Sequence, residues 1–155
     1  MAHRRPPRIT GFSYVGFYRY SLTFGTHKRL RLFADGRRVE SALGQIRRTC
    51  DDEQFALLAY CFMPDHLHVV VEGQTPASDL RRFVKIAKQR IAFVFRTTFG
   101  VPATWQHGYY ERVLRSDEAT DVVVRYVLEN PVRAGMVRVA EEFAYSGALF
   151  WPEPT

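Results

Sequence analysis

The sequence predicts an α+β domain, and three observations carry that prediction. Stretches rich in apolar, β-branched and aromatic residues occur at 12–24, 54–63, 66–72 and 109–114, as strands require. Between them, apolar residues return at helical spacing over 39–49, 80–97 and 118–128. The third observation is a turn. Only Pro64 and Asp65 separate the second strand from the third, and a connection that short joins antiparallel neighbours.

Taken in order, residues 1–10 hold His3, Arg4, Arg5 and Arg8 among prolines and read as a basic arm suited to phosphate contact. After the first strand, residues 26–36 form a basic loop with Lys28, Arg29 and Arg31, and Arg37 and Arg38 lie beside it. Val39, Leu43 and Ile46 then mark a short helix. Ser78 or Asp79 can cap the helix at 80–97, whose apolar stripe is Leu80, Phe83, Val84, Ala87, Ile91 and Val94. Arg81, Arg82, Lys85, Lys88 and Arg90 crowd its remaining surface with no acid between them, which favours a phosphate-binding face over an ordinary solvated one. Ser116 or Asp117 can cap the helix at 118–128. Pro131 ends or kinks it, because proline disfavours helical geometry in the residue before it. Residues 131–135 can add one more turn, and the tail through Tyr145 and Trp151 reads as packed.

The chain has 155 residues, which predicts a single domain over 1–155. At 46% hydrophobic residues it should fold, and a net charge of +6 favours a polyanionic partner, nucleic acid before a membrane surface. Cys50 and Cys61 have neither metal-motif spacing nor the look of a disulfide framework, so a reducing cytoplasm fits best. The longest nearly apolar run, 55–63, is too short to span a bilayer, and the basic start lacks the apolar core of a secretory signal.

Two sets of residues carry possible chemistry. His66 and His68 flank Leu67 in a strand, so both imidazoles share one face and form a ready pair of ligands for a divalent metal. The plainer alternative is two polar-face histidines. Tyr126 and Asn130 lie four apart at the end of the last helix, which stacks a phenol and an amide on one side. Taken alone, that pair reads more simply as a core tyrosine and a turn asparagine.

Three segments occur together in this order: Y-C-F-M-P-D-H-L-H-V-V-V, W-Q-H-G-Y-Y-E-R-V-L-R and R-Y-V-L-E-N-P-V-R-A-G. On them the chain resembles the HUH single-strand tyrosine transposases of IS200-like type, and within these the REP-associated tyrosine transposases of bacteria. The resemblance runs from about Phe12 to Trp151 and implies a single IS200-like domain. The implied fold is a ferredoxin-like (RRM-like) α/β sandwich, with a central antiparallel sheet and helices on one side. In the implied site His66, His68 and Asn130 hold Mg²⁺ or Mn²⁺, and Tyr126 is the nucleophile. The implied activity is cleavage and rejoining of single-stranded or hairpin DNA through a 5′-phosphotyrosine intermediate. DNA would meet Arg4, Arg5, Arg81, Arg82, Lys85, Lys88 and Arg133. The implied setting is the bacterial cytoplasm at the nucleoid, without membrane contact, as monomer or homodimer.

The chemistry supports this independently. Phosphodiester cleavage needs charge neutralisation on the non-bridging oxygens and an aligned nucleophile, and a phenol with a pKa near 10 needs a nearby cation. Asp65 or Glu111 is expected to orient a metal-bound histidine, or Asp65 merely to make the turn. His107 reads as a loop histidine before a proton carrier, and Tyr109 and Tyr110 serve the sheet or base stacking. Two alternatives remain. One is a domesticated endonuclease or binder of repeated genomic hairpins. The other is a metal-dependent hydrolase of small phosphoesters, which the net charge disfavours.

Overall fold

The computed structural model describes residues 12–149. In chain order the elements are β1 (Arg19–Gly25), α1 (Gly36–Glu53), β2 (Phe55–Met63), β3 (His66–Gly73), α2 (Leu80–Phe99), β4 (Tyr110–Leu114), α3 (Asp117–Leu128), α4 (Asn130–Arg133) and β5 (Ser146–Ala148). Arg4, Arg5 and Trp151 lie outside the described residues.

The helices begin where side chains can satisfy their first backbone donors. Asp35 Oδ1 accepts from Arg37 N at 2.9 Å at the start of α1, and Asp79 Oδ1 accepts from Arg81 N at 3.0 Å at the start of α2. Of the two residues expected to cap α2, Asp79 does so, while the Ser78 hydroxyl donates to Gln54 O. Ser116 Oγ caps α3 by accepting from Ala119 N.

The strands lie in the order β4-β1-β3-β2-β5, and every neighbouring pair is antiparallel. With β1-α1-β2-β3-α2-β4 as chain order, the first four strands make the ferredoxin-like arrangement. Side chains alternate between the faces of a strand. Tyr20, Leu22 and Phe24 of β1, Phe62 of β2 and Leu67, Val69 and Val71 of β3 bury against Ile46 of α1 and Phe83, Ala87 and Ile91 of α2. Each fully buried Leu or Phe contributes about 1.5–3 kcal/mol relative to exposure.

The expectation of helices on one side holds for α1 and α2, but α3 covers the opposite face. There Val123, Val124, Val127 and Leu128 pack on Ala59, Cys61, Met63, Val70 and Leu114. The reason lies in β3, where Val69, Val70 and Val71 are consecutive and all buried, so both faces need cover. In β2 the register shifts between Leu57 and Ala59, and the extra residue, Leu58, joins Ala59 on the α3 side.

The first strand starts later than its composition suggested. Tyr14 and Gly16 take positive φ (57° and 120°), Gly16 N donates to Ser78 O at 2.9 Å, and Leu80 N donates to Tyr14 O at 3.0 Å. Those residues fasten the start of α2 instead of extending β1. Within the basic loop, Leu32 and Phe33 turn inward and are buried. β5, a three-residue strand on the edge of β2, is too short to leave a periodic signal. No helix among the described residues is long and apolar enough to cross a membrane.

Candidate active site

Alternation along β3 sends Leu67, Val69 and Val71 into the α1/α2 core and turns His66, His68 and Val70 to the α3 face. The imidazoles stand edge to face, with ring centroids 4.8 Å apart. Each ring is held through Nδ1. His66 Nδ1 lies 2.7 Å from Asp65 Oδ1, and His68 Nδ1 lies 3.0 Å from Thr23 Oγ1. The second contact follows from register, because β1 sets Thr23 opposite His68.

Arg29 grips the other oxygen of Asp65, with Nη2 at 2.8 Å. Burial pushes the Asp65 carboxyl up, but hydrogen bonds from His66 and Arg29 outweigh it, and its pKa lies below the ordinary value of 3.8. Asp65 is therefore a carboxylate at neutral pH, and His66 Nδ1 donates to it. Of the two acids expected to serve a histidine, Asp65 is the one in place. Glu111 pairs with Leu22 in the register and so points to the α1/α2 side of the sheet.

Cross-strand register lays out the rest of this face. Tyr110, Thr23, His68 and Cys61 form one row, and Gly25, His66 and Met63 form the next. Tyr110 is 39% exposed, and Arg112, two residues on, is exposed on the same face. Tyr109 faces the other way, with its ring edge-on to Phe24 at 5.9 Å. The alternatives for the two tyrosines thus separate: Tyr109 serves the core and Tyr110 is open to a ligand.

The structure adds Gln106, which sequence reasoning passed over. Its backbone N donates to Gly25 O at 3.0 Å, and its side chain lies across Gly25, where a Cβ would stand 2.4 Å from Nε2. Gly25 is opposite His66, so the Gln106 side chain lies over the face of the sheet that carries that ring. The loop is anchored by Lys88, whose Nζ donates to Gly108 O at 2.9 Å, and by Trp105 Nε1, which donates to Lys88 O at 3.1 Å. A glycine inside an apolar strand was the available signal, since it marks close approach of another group.

Tyr126 and Asn130 come from α3 and α4, separated by a break at Glu129 (φ −86°, ψ −1°). Their environments differ: Tyr126 is 59% exposed, whereas Asn130 Nδ2 is buried without a hydrogen-bond partner. No hydrogen bond joins either residue to the histidines among the described residues. The Arg133 guanidinium lies over the Tyr126 ring, 3.8 Å from its centroid, and its Nη2 donates to Tyr126 O at 2.7 Å. Arg133 also acts on Cys61, the cross-strand neighbour of His68. Burial pushes that thiol up to about 12, and the Arg133 cation pulls against it. Among the described residues no three His, Cys, Asp or Glu side chains gather as a metal set.

The cations of α2 lie on the far side of the sheet from the histidines. Although no acid interrupts them in sequence, acids reach them from α1. Arg82 pairs with Glu53 at 2.8 Å and Arg90 with Asp52 at 2.7 Å. Arg81 lies over the Tyr14 ring, Lys88 is the loop anchor described above, and Lys85 is exposed. His107 is exposed on its loop.

Comparison with known proteins agrees with the fold. A Haemophilus influenzae protein whose name assigns it as a REP-associated tyrosine transposase is 27% identical over 112 residues, which cover 64% of this chain and 62% of that protein. The fold matches a solved REP-associated tyrosine transposase bound to a REP hairpin, with a TM-score of 0.75 and 19% identity over 94% of this chain and 82% of the other. It also matches a crystal structure from Deinococcus radiodurans described as a transposase, with a TM-score of 0.56 and 24% identity over 79% of this chain and 96% of the other. The sequence pattern of the family described as Transposase IS200 like fits residues 15–130, and with that match the chain belongs to the IS200-like transposase family.

Proposed function

We propose that the chain cleaves and rejoins single-stranded or hairpin DNA through a 5′-phosphotyrosyl link on Tyr126, with Mg²⁺ or Mn²⁺ bound by His66, His68 and Asn130. The observation that carries the reading is the pair of Nδ1 contacts. A metal-bound imidazole characteristically bonds through its second nitrogen to a carboxylate or another oxygen acceptor. Here Asp65 and Thr23 meet the two Nδ1 atoms, so Nε2 is the nitrogen through which each ring would meet a metal. The buried amide of Asn130, unpartnered at Nδ2, suits a ligand role once its carbonyl oxygen is turned inward. Membership of the transposase family and the hairpin bound by the solved relative support DNA as the substrate.

A bound divalent cation would neutralise charge on the non-bridging oxygens of the scissile phosphate. The residues of the chain would do the rest. The Tyr126 phenol gives up its proton and its oxygen attacks phosphorus. A P–Oη bond forms, the P–O3′ bond breaks, and the departing 3′ oxygen takes a proton. The strand is left 5′-linked to Tyr126. A second 3′-OH reverses the step and rejoins DNA without external energy, because one phosphodiester replaces another. DNA would run over the histidine face, where Tyr110 offers a ring for stacking and Arg112 a cation for phosphate.

Incubation of the protein with a labelled single-stranded hairpin and Mn²⁺ tests the reading on a denaturing gel. A covalent adduct is expected from the native protein and none from Tyr126→Phe. An adduct that persists in Tyr126→Phe removes the assignment.

A further inference from the structure

We infer that Arg133 is a positioning residue for the nucleophile: it fixes the Tyr126 ring in place, beyond any part it has in binding DNA. The inference rests on the reading of Tyr126 as nucleophile. A tyrosine 59% exposed on a helix has little to stop it turning about its side-chain bonds. Among the described residues the one cation over its ring is that of Arg133. That contact has two points. The guanidinium carbon stands 3.8 Å from the ring centroid, and Nη2 donates to the Tyr126 carbonyl at 2.7 Å.

That carbonyl belongs to the last turn of α3, where carbonyls lose their helical donors, so one side chain both caps the helix and plates the ring. The planar guanidinium is suited to this, because its face covers an aromatic ring while its edge donates. α4 delivers it: Arg133 N donates to Glu129 O at 3.0 Å, and Gly135, at φ +73°, ends the turn. α4 also packs against β2, the strand that sets Cys61 opposite His68. Lysine would keep the charge and lose both the plane and the fixed fork.

Arg133→Lys and Arg133→Ala separate the two roles in single-turnover adduct formation with a labelled hairpin and Mn²⁺. A phosphate contact alone predicts that Lys restores the native rate. Positioning predicts that both variants lose about a hundredfold in the rate of the covalent step, the scale of a 1 Å misplacement. Arg133→Lys should keep the native affinity and salt dependence for DNA, and the native melting temperature. Native kinetics in Arg133→Lys would overturn the inference, and so would a defect confined to affinity. A direct measurement stands beside the kinetics. In the native protein, NMR should show Arg133 side-chain protons shifted upfield by the Tyr126 ring, and Tyr126→Leu should abolish the shift. Absence of that shift overturns the inference whatever the kinetics. If the native protein forms no adduct but the shift is present, the reading of Tyr126 as nucleophile fails while the positioning contact stands.

Discussion

Replacing Thr23 by valine tests whether strand register orients a metal-binding ring. Valine keeps the shape of threonine and removes the hydroxyl, so the packing of β1 against β3 should survive. What disappears is one hydrogen bond, between His68 Nδ1 and Thr23 Oγ1 at 3.0 Å, in which a metal-bound ring would donate. A bond of that neutral kind is worth about 0.5–1.5 kcal/mol, or about two- to twelvefold in an equilibrium constant. Asp65→Ala removes the matching contact on His66, at 2.7 Å, and there the acceptor is a carboxylate. A charge-assisted bond is worth about 1.5–3 kcal/mol, which predicts a loss of about 12- to 160-fold. The ion pair of Asp65 with Arg29 adds little, because the Arg29 side chain is 62% exposed. Both losses overlap the 10–100-fold range for residues that orient metal-bound histidines. Calorimetric titration with Mn²⁺ should rank native above Thr23→Val and Thr23→Val above Asp65→Ala, with the melting temperature of Thr23→Val close to native. Native affinity in both variants, or the reverse order between them, would refute the reasoning.

Further outcomes are expected elsewhere in the molecule. Gly25→Ala should displace the Gln106 side chain, which is flexible enough to move without loss of fold, and should slow cleavage as Gln106→Ala does at an unchanged melting temperature. Native cleavage rates in both would show that the amide over Gly25 is idle. Arg112→Ala should flatten the log–log salt dependence of single-strand binding by roughly 0.7. Arg82→Ala, its guanidinium already held by Glu53, should change that slope less, and the opposite result would return DNA to α2. Tyr110→Leu should weaken DNA binding by about 1–3 kcal/mol in a titration, whereas Tyr109→Leu should instead lower the melting temperature. Burial pushes the Cys50 thiol up to about 12, so the folded state keeps a proton that the unfolded chain releases above about pH 8.5–9. That contribution to stability is whole below the unfolded pKa and is lost as pH rises toward the folded one, at roughly 1.4 kcal/mol per pH unit. Urea titrations from pH 8 to 11 should show a shallower decline in Cys50→Ala, and an identical decline would refute the assignment.

Local pattern was enough for much of this architecture. The stripe of α2 and the turn at Pro64-Asp65 are properties of neighbours in sequence, and both appear in the structure where the pattern placed them, except that Phe95 is buried at the end of the stripe where Val94 was expected and Val94 is half-buried. The residues that escaped pattern depend on contacts between distant segments. The acids that engage Arg82 and Arg90 sit about thirty or more positions earlier, at the end of α1, so a helix free of acids in sequence is not free of them in space. Thr23 meets His68 across 45 positions, through a register that is settled only when the whole sheet assembles. Gln106 is displayed because β1 carries a glycine under it. The side of the sheet taken by α3 was legible in principle, since a strand apolar at consecutive positions needs cover on both faces.

That double burial also bears on how the site is aimed. In β3 the imidazoles and the core residues alternate, so whatever fixes one set fixes the other. A slip of one position would carry Leu67, Val69 and Val71 out of the α1/α2 core and drive His66 and His68 into it, away from Asp65 and Thr23. Both changes are unfavourable, because apolar burial is lost and two imidazoles enter an apolar layer without partners. The register that orients the histidines is thus held by hydrophobic packing on the opposite side of the same strand. A substitution such as Leu67→Ala, which touches neither histidine, should therefore loosen the site through the fold, lowering the melting temperature and Mn²⁺ affinity together. Thr23→Val should lower the affinity alone.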